Sequence, residues 1–316
     1  MKLSIVTTLY RSSPYINEFY ERISAVVKKL TEEYEIIFVN DGSPDNSLEL
    51  SIELHKKDNK VKVINLSKNF GHHKAIMTGL KYSKGDLVFL IDSDLEEDPE
   101  LLEKFWVEMT NNSSADVIYG VQESRRGDFV EKITGNLFYK IYNLLSSEKV
   151  VENSAMSRLM RKSYVKALVS HQEREIFLMG LWSISGFNQS PMTIKKYSTS
   201  PSTYTLNKKI NLMVNALTSF SNKPLEFIFH FGVMISIASL IFILYLLTRQ
   251  LFFGVSMQGW TSVIVSIWLV GGIVIFSIGL VGIYISKIFT EVKQRPYTIV
   301  KDFFDKENTL EGESND

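Results

Sequence analysis

The chain has 316 residues, a hydrophobic share of 45%, and matched charge, with 35 Lys plus Arg against 35 Asp plus Glu. That is enough apolar material for one sizeable domain with extra elements, and zero net charge gives no global case for a nucleic-acid partner. Cysteine is absent, which excludes disulfides, thiolate zinc sites and a cysteine nucleophile and agrees with a reducing compartment.

Met1 to Val6 lacks a basic n-region followed by a long apolar run, so no cleavable signal peptide is expected. Leu3 to Thr7 reads instead as a buried strand. After a turn at Ser12-Ser13-Pro14, apolar residues at Ile16, Phe19, Tyr20, Ile23, Val26, Val27 and Leu30 recur at helical spacing. Glu35 to Val39 is a second strand, and Asn40-Asp41-Gly42-Ser43-Pro44-Asp45 is a turn that caps another helix. Val61 to Leu66 is a third strand, leading through Asn69-Phe70-Gly71 to a helix over His72 to Tyr82, and Asp86 to Ile91 is a fourth. Strands alternating with helical patterns predict βαβ units and a mainly parallel α/β sheet. Its helix N-termini then gather on the strand-end side, where backbone N–H groups favour phosphate.

The fourth strand ends in Asp92-Ser93-Asp94-Leu95-Glu96-Glu97-Asp98-Pro99. Residues i and i+2 of an extended segment share a face, so Asp92 and Asp94 can converge on one point. A hard cation such as Mg²⁺ or Mn²⁺ is commonly held by one or two carboxylates with phosphate oxygens completing the shell. The competing reading is a solubilising acidic run before a helix that Pro99 opens. Position favours the site: ligands of open α/β sheets bind outside the carboxyl ends of the strands.

A helix over Glu100 to Thr110 and a strand from Ala115 to Val121 continue the pattern, followed by a polar loop with Arg125-Arg126 and a helix over Phe129 to Leu145. The two arginines read either as a bidentate phosphate grip or as a solvated surface pair. Leu206 to Phe220 reads as an amphipathic helix, lying at a membrane interface or packed on the domain before it. From Phe227 to Leu247 and from Val263 to Ile285 there is no Asp, Glu, Lys or Arg. Each run is long enough to cross the roughly 30 Å hydrocarbon core as a helix, so two transmembrane helices are expected. Lys208, Lys209 and Lys223 precede the first run and Lys287, Lys293, Arg295 and Lys301 follow the second, against Arg249 alone between them. By the positive-inside rule both ends are cytoplasmic. The resulting plan is a cytoplasmic domain over 1–204, a juxtamembrane helix over 205–226, a two-helix membrane domain over 227–286 and a cytoplasmic tail over 287–316, its last residues an acidic disordered end.

Val39-Asn40-Asp41-Gly42-Ser43, Leu66-Ser67-Lys68-Asn69-Phe70-Gly71, Asp92-Ser93-Asp94-Leu95, Ser124-Arg125-Arg126-Gly127 and Arg158-Leu159 occur in that order. Thr218-Ser219-Phe220-Ser221 with Pro224-Leu225, Gly271-Gly272, Gly282-Ile283-Tyr284 and Glu291-Val292-Lys293-Gln294-Arg295-Pro296 come after them. The ordered set resembles family 2 glycosyltransferases of the polyprenyl-phosphate type, relatives of dolichol-phosphate mannose synthase and bacterial undecaprenyl-phosphate glucosyltransferases. The resemblance covers nearly the whole chain except the tail.

It implies a GT-A type, Rossmann-like nucleotide-sugar domain and an integral protein of the bacterial plasma membrane. Asp41 would contact the nucleotide, joined by Tyr10, Asn69, Gly71 and Lys74. Asp92 and Asp94 would hold Mg²⁺ or Mn²⁺ on the donor diphosphate, with Glu96 as a further ligand where the family often has glutamine. Arg125, Arg126 and Arg158 would address acceptor phosphate or donor diphosphate. The partners implied are a nucleotide-sugar donor, UDP-linked, and a polyprenyl-phosphate acceptor in the membrane; homo-oligomerisation is left open.

The chain departs from the family pattern at three places. Met156 stands where many relatives have an aspartate near the acceptor, Tyr10 is followed by Arg11-Ser12 rather than an Asn-Glu pair, and Tyr197 and Ser200 replace an arginine and a glycine. His72 and His73 open a helix, as donors to phosphate or as a surface pair. Two other readings stand beside the transferase: a processive polysaccharide synthase, disfavoured by the lack of a Gln-x-x-Arg-Trp motif, and a non-catalytic membrane scaffold on a nucleotide-sugar fold.

Overall fold

The computed structural model describes residues 1–122, 140, 143, 151–197, 221–253 and 259–306. The chain divides into two units, one made of 1–139, 150–206 and 295–316 and the other of 140–149 and 207–294.

In the first unit β1 (Leu3–Leu9) and β2 (Tyr34–Asn40) are buried at every position, as expected of parallel strands covered on both faces. Between them α1 (Ile16–Leu30) buries Ile16, Phe19, Ile23, Val26 and Val27 and ends on Lys28 and Lys29, cations that suit the negative end of a helix dipole. The elements α2 (Ser47–Lys57), β3 (Val61–Leu66), α3 (His72–Tyr82), β4 (Leu87–Leu90), α4 (Leu101–Asn111) and β5 (Val117–Gln122) come next in the expected order. The core closes on edge-to-face pairs such as Phe19–Phe38 and Phe89–Phe105.

Beyond the expected elements lie β6 (Ser154–Arg161), α5 (Lys162–Ser170), α6 (Leu178–Ile184) and β7 (Gln189–Ile194). The sheet is completed by β8 (Val300–Phe304) and has eight strands in the order β7-β5-β6-β4-β1-β2-β3-β8. Neighbours β4, β1, β2 and β3 run parallel, while β6 is antiparallel to both β4 and β5. The carboxyl ends of the four parallel strands therefore share one edge of the domain.

Strand β8 runs antiparallel to β3 and pairs Val63 with Phe304 and Asn65 with Asp302. This corrects the expected tail over 287–316: its middle joins the sheet, and 307–316 lies outside the described residues. The physical reason is ionic as well as steric. Lys62 is buried, with its ammonium 3.0 Å from Glu35 and 2.9 Å from Asp305, both also buried. A buried lysine is tolerated only when paired, and half of its pairing comes from beyond β8.

The second unit contains α7 (Lys223–Phe253) and α8 (Trp260–Val292). The Tyr284 hydroxyl donates to the Ser221 carbonyl at 2.6 Å. Large apolar side chains such as Phe227, Trp268 and Phe276 stand exposed, the kind of surface a lipid-facing helix presents. Among the described residues one stretch is long and apolar enough to cross a membrane, the 27-residue Ser266–Val292, against the two expected. The run 227–247 lies within α7, and some of its side chains fall outside the described set. The expected juxtamembrane helix lies outside the described residues up to 220.

Candidate active site

Four loops leave the carboxyl ends of β1 to β4 and are tied to one another. Asp41, just past β2, is buried, and its two carboxylate oxygens accept the N–H groups of Phe70 at 2.7 Å and Gly71 at 3.0 Å. Burial raises its pKa, and the two N–H donors pull the other way. Gly42 sits at φ +59° with Lys68 and Asn69 backbone atoms 2.5 Å from where a Cβ would lie, so no other residue fits between these loops. Asn69 and Gly71 thus belong to the same clamp as Asp41, and Lys74 lies in the first turn of α3. Each Asp41 oxygen keeps a second lone pair for a ligand hydroxyl or N–H. Tyr10 is exposed beyond β1, with the Arg11 guanidinium 5.8 Å from its ring centre.

Asp92 and Asp94 lie directly after β4. Ser93 between them is buried, and its hydroxyl donates to the Thr8 carbonyl at 3.0 Å. That contact turns the flanking carboxylates away from the core. Asp92 lies 3.4 Å from His72 Nε2, whose Nδ1 is 3.0 Å from the Thr8 hydroxyl. Asp94 accepts the Glu96 N–H at 3.0 Å across a turn in which Leu95 takes φ 58°, a left-handed conformation costing a non-glycine residue about 1 kcal/mol or more.

The later acids of the run are engaged elsewhere. Glu96 pairs with Lys196 at 2.9 Å. Glu97 is buried, accepts the N–H groups of Met156 at 3.3 Å and Ser157 at 2.8 Å, and lies 3.7 Å from Lys196. Burial first, then the charges of Glu97 and Glu96, pushes Asp92 up to about 7, with Lys196 opposing. Burial and the Asp92 charge push Asp94 up to about 6. His72 is lowered by burial, and His73 falls to about 4 through burial and the neighbouring His72.

Arg158 is buried beneath this edge, its guanidinium 3.1 Å from the Trp182 ring centre and 5.6 Å from that of Tyr119. Burial lowers it to about 10. Among the described residues no carboxylate forms an ion pair with it, and it packs as a stacked cation rather than on an open surface. Arg125 and Arg126 lie outside the described residues. Sequence reasoning passed over Thr8, Glu97 and Lys196. Glu97 was visible as one more acid in the run, whereas nothing local marks Lys196.

The donor set of Asp92 and Asp94 is hard oxygen, and burial, followed by neighbouring negative charge, holds both carboxyls well above their usual range. That suits a divalent cation shared with phosphate oxygens, the usual mode for Mg²⁺. Among the described residues no group of three or more acidic or histidine side chains is placed to hold an ion, so Asp92 and Asp94 would hold it with ligand oxygens, and Glu96 stands paired with Lys196.

A mostly parallel mixed sheet with this acidic tip beside a backbone-clamped aspartate loop defines a GT-A-like domain, the architecture of enzymes that use nucleotide sugars. In keeping with it, the glycosyl transferase family 2 model matches residues 4–169. The chain belongs to glycosyltransferase family 2. It is 50% identical over 309 residues to a protein of Mycobacterium tuberculosis, covering 98% of this chain and 90% of that one. It is 33% identical over 313 residues to the uncharacterized glycosyltransferase YkcC of Bacillus subtilis, covering 98% and 96%. It is 30% identical over 308 residues to the bactoprenol glucosyl transferase of Shigella phage SfII, covering 95% and 98%. In fold it resembles glucosyl-3-phosphoglycerate synthase of Mycobacterium tuberculosis, with TM-score 0.50 and 16% identity over 69% of this chain and 79% of that one.

Proposed function

We propose that the chain is a membrane-bound, metal-dependent inverting glycosyltransferase that moves a sugar from a UDP-sugar to a polyprenyl phosphate of the undecaprenyl class. The observation that carries this reading is the Asp92–Asp94 tip facing the Asp41 loop across one sheet edge, in a chain that matches a bactoprenol glucosyl transferase along 98% of that protein's length. The apolar Ser266–Val292 helix supports placing the acceptor in a bilayer.

In this mechanism the Asp41 loop would bind the nucleoside, and Asp92 and Asp94 would hold Mg²⁺ or Mn²⁺ together with oxygens of the donor diphosphate. The bound cation would neutralise charge building on the departing nucleoside diphosphate. Lys196, beside Glu96 and Glu97, adds a fixed positive charge at the same edge. The lipid phosphate oxygen forms a bond to the anomeric carbon as the bond to the diphosphate oxygen breaks, which inverts that carbon. A phosphate monoester has a second pKa of about 6 and is largely ionised at neutral pH, so the nucleophile needs no general base. Met156, which has no carboxylate to offer, is compatible with that chemistry.

The test offers purified full-length protein undecaprenyl phosphate, Mn²⁺ or Mg²⁺ and a panel of UDP-, GDP- and ADP-linked sugars, and weighs the lipid by mass spectrometry. One hexosyl or N-acetylhexosaminyl increment on the lipid phosphate, from a UDP donor, is expected. Donor binding with no lipid product from any member of the panel would overturn the reading in favour of a non-catalytic scaffold.

A further inference from the structure

We propose that Asp302, on the strand that comes after the second apolar helix in sequence, is a positioning residue for the donor loop and acts through Asn65 and Asn40. The inference rests on the reading of the Asp41 loop as the nucleotide site. An unbroken chain of hydrogen bonds carries it. Asp302 accepts from the Asn65 amide at 2.8 Å, the Asn65 carbonyl accepts from the Asn40 amide at 2.9 Å, and the Asn40 carbonyl accepts from the Ser43 N–H at 3.2 Å.

The polarity of this chain is set at its far end. An ionised carboxylate can only accept, so Asn65 must turn its NH₂ toward Asp302 and its oxygen toward Asn40. Asn40 must then turn its NH₂ toward Asn65, which leaves its oxygen for the Ser43 N–H. Asn40 and Asn65 are both buried, so neither can turn to water when its neighbour is wrongly set. Without Asp302 the two amides can reverse together, and Asn40 would then present a donor to a donor.

Ser43 is where the consequence is felt. Its hydroxyl accepts the Arg11 N–H at 2.7 Å and donates to Asp45 at 2.5 Å, so a shifted Ser43 moves the loop carrying Tyr10 as well as the loop carrying Asp41. Asp302 itself is held in register by the Thr78–Thr298 hydroxyl contact at 2.8 Å, by the Ser67 N–H on the Ile299 carbonyl at 2.9 Å, and by the Lys62–Asp305 pair. The segment that follows the apolar helices in sequence is thereby a working part of the donor site.

The experiment measures binding of UDP, GDP and ADP with Mn²⁺ by calorimetry to the full-length protein in detergent, with thermal melts alongside. Asp302→Ala and Asn65→Ala should each weaken the nucleotide bound by wild type about fivefold or more, while Asp302→Asn, which can still present an acceptor oxygen, and the exposed Lys301→Ala stay within about twofold. Asn65→Ala carries the test if Asp302→Ala does not fold. Asp305→Asn, just past the end of the strand, should lower the melting temperature without that loss of affinity. Wild-type affinity in a folded Asp302→Ala or Asn65→Ala, or equal losses in Asp302→Asn and Asp302→Ala, overturns the proposal. If Asp41→Asn still loses binding in that case, the donor-loop reading stands and this inference alone falls; if wild type binds none of the three nucleotides, both fall.

Discussion

Glu97 reaches across the sheet edge to Ser157, accepting its backbone N–H at 2.8 Å from a residue 60 positions away. The acidic loop after β4 is thereby bolted to β6, and the buried Glu97 charge is placed where it raises Asp92. Removing the carboxylate should therefore act on fold and site together. Glu97→Ala leaves two backbone N–H groups without their acceptor, each costing about 1–3 kcal/mol if buried, and a marked fall in melting temperature is expected. Glu97→Gln keeps one acceptor oxygen and loses the charge. It should melt closer to wild type and shift the midpoint of metal activation toward lower pH.

Asp92 and Asp94 make one contribution to the pH dependence of stability without added cation. Their folded-state values, about 7 and about 6, lie above the unfolded value near 4. The native state then binds more protons than the unfolded one across that window. The stability these groups contribute is full below pH 4 and is lost as pH rises through 6 to 7. A cation on the pair would offset the cost of ionising these buried carboxyls. The rise in melting temperature caused by Mn²⁺ should therefore be small at pH 5 and larger at pH 7.5; equal shifts at the two values would contradict the placement.

His72 links Thr8 to Asp92, with Nδ1 3.0 Å from the hydroxyl and Nε2 3.4 Å from the carboxylate. Residues that orient a metal ligand typically change metal affinity by about 10- to 100-fold when lost. His72→Ala should raise the Mn²⁺ concentration for half-maximal activity about tenfold with little change in melting temperature. An unaltered metal response would remove His72 from this role.

Lys62 sits between two buried carboxylates. Lys62→Met removes the cation shared by both carboxylates, and breaking a buried pair costs about 3–5 kcal/mol. Chemical denaturation should register that loss in the midpoint. Truncation before residue 298 should be damaging for the same reason, since Asp305 and β8 leave together.

The order β1 to β5 was legible because apolar runs of strand length alternate with helical spacing, and Asp92 and Asp94 because two acids at i, i+2 close a strand. The strands after β5 carry no such signal. Ser154 to Arg161 mixes serines and arginines, yet Ser157 and Arg158 are buried, the latter only because Trp182 lies against it, a pairing no local pattern announces. Val300–Phe304 is a short, half-buried edge strand whose partner β3 lies more than 200 residues earlier. Lys196 and Glu97 gain meaning only through the fold that brings them together. Two membrane spans are legible as charge-free runs, and the described residues support one of them.

Asp92 and Asp94 are proposed to hold the cation that drives sugar transfer. The direct measurement is transfer from a UDP-sugar to undecaprenyl phosphate by wild type and Asp94→Ala, each with Mn²⁺ and with excess chelator, on samples of matched thermal stability. Lipid product is expected from wild type with Mn²⁺ alone, and none from Asp94→Ala under either condition. Near-normal turnover by a folded Asp94→Ala, or product in the presence of chelator, would contradict that role.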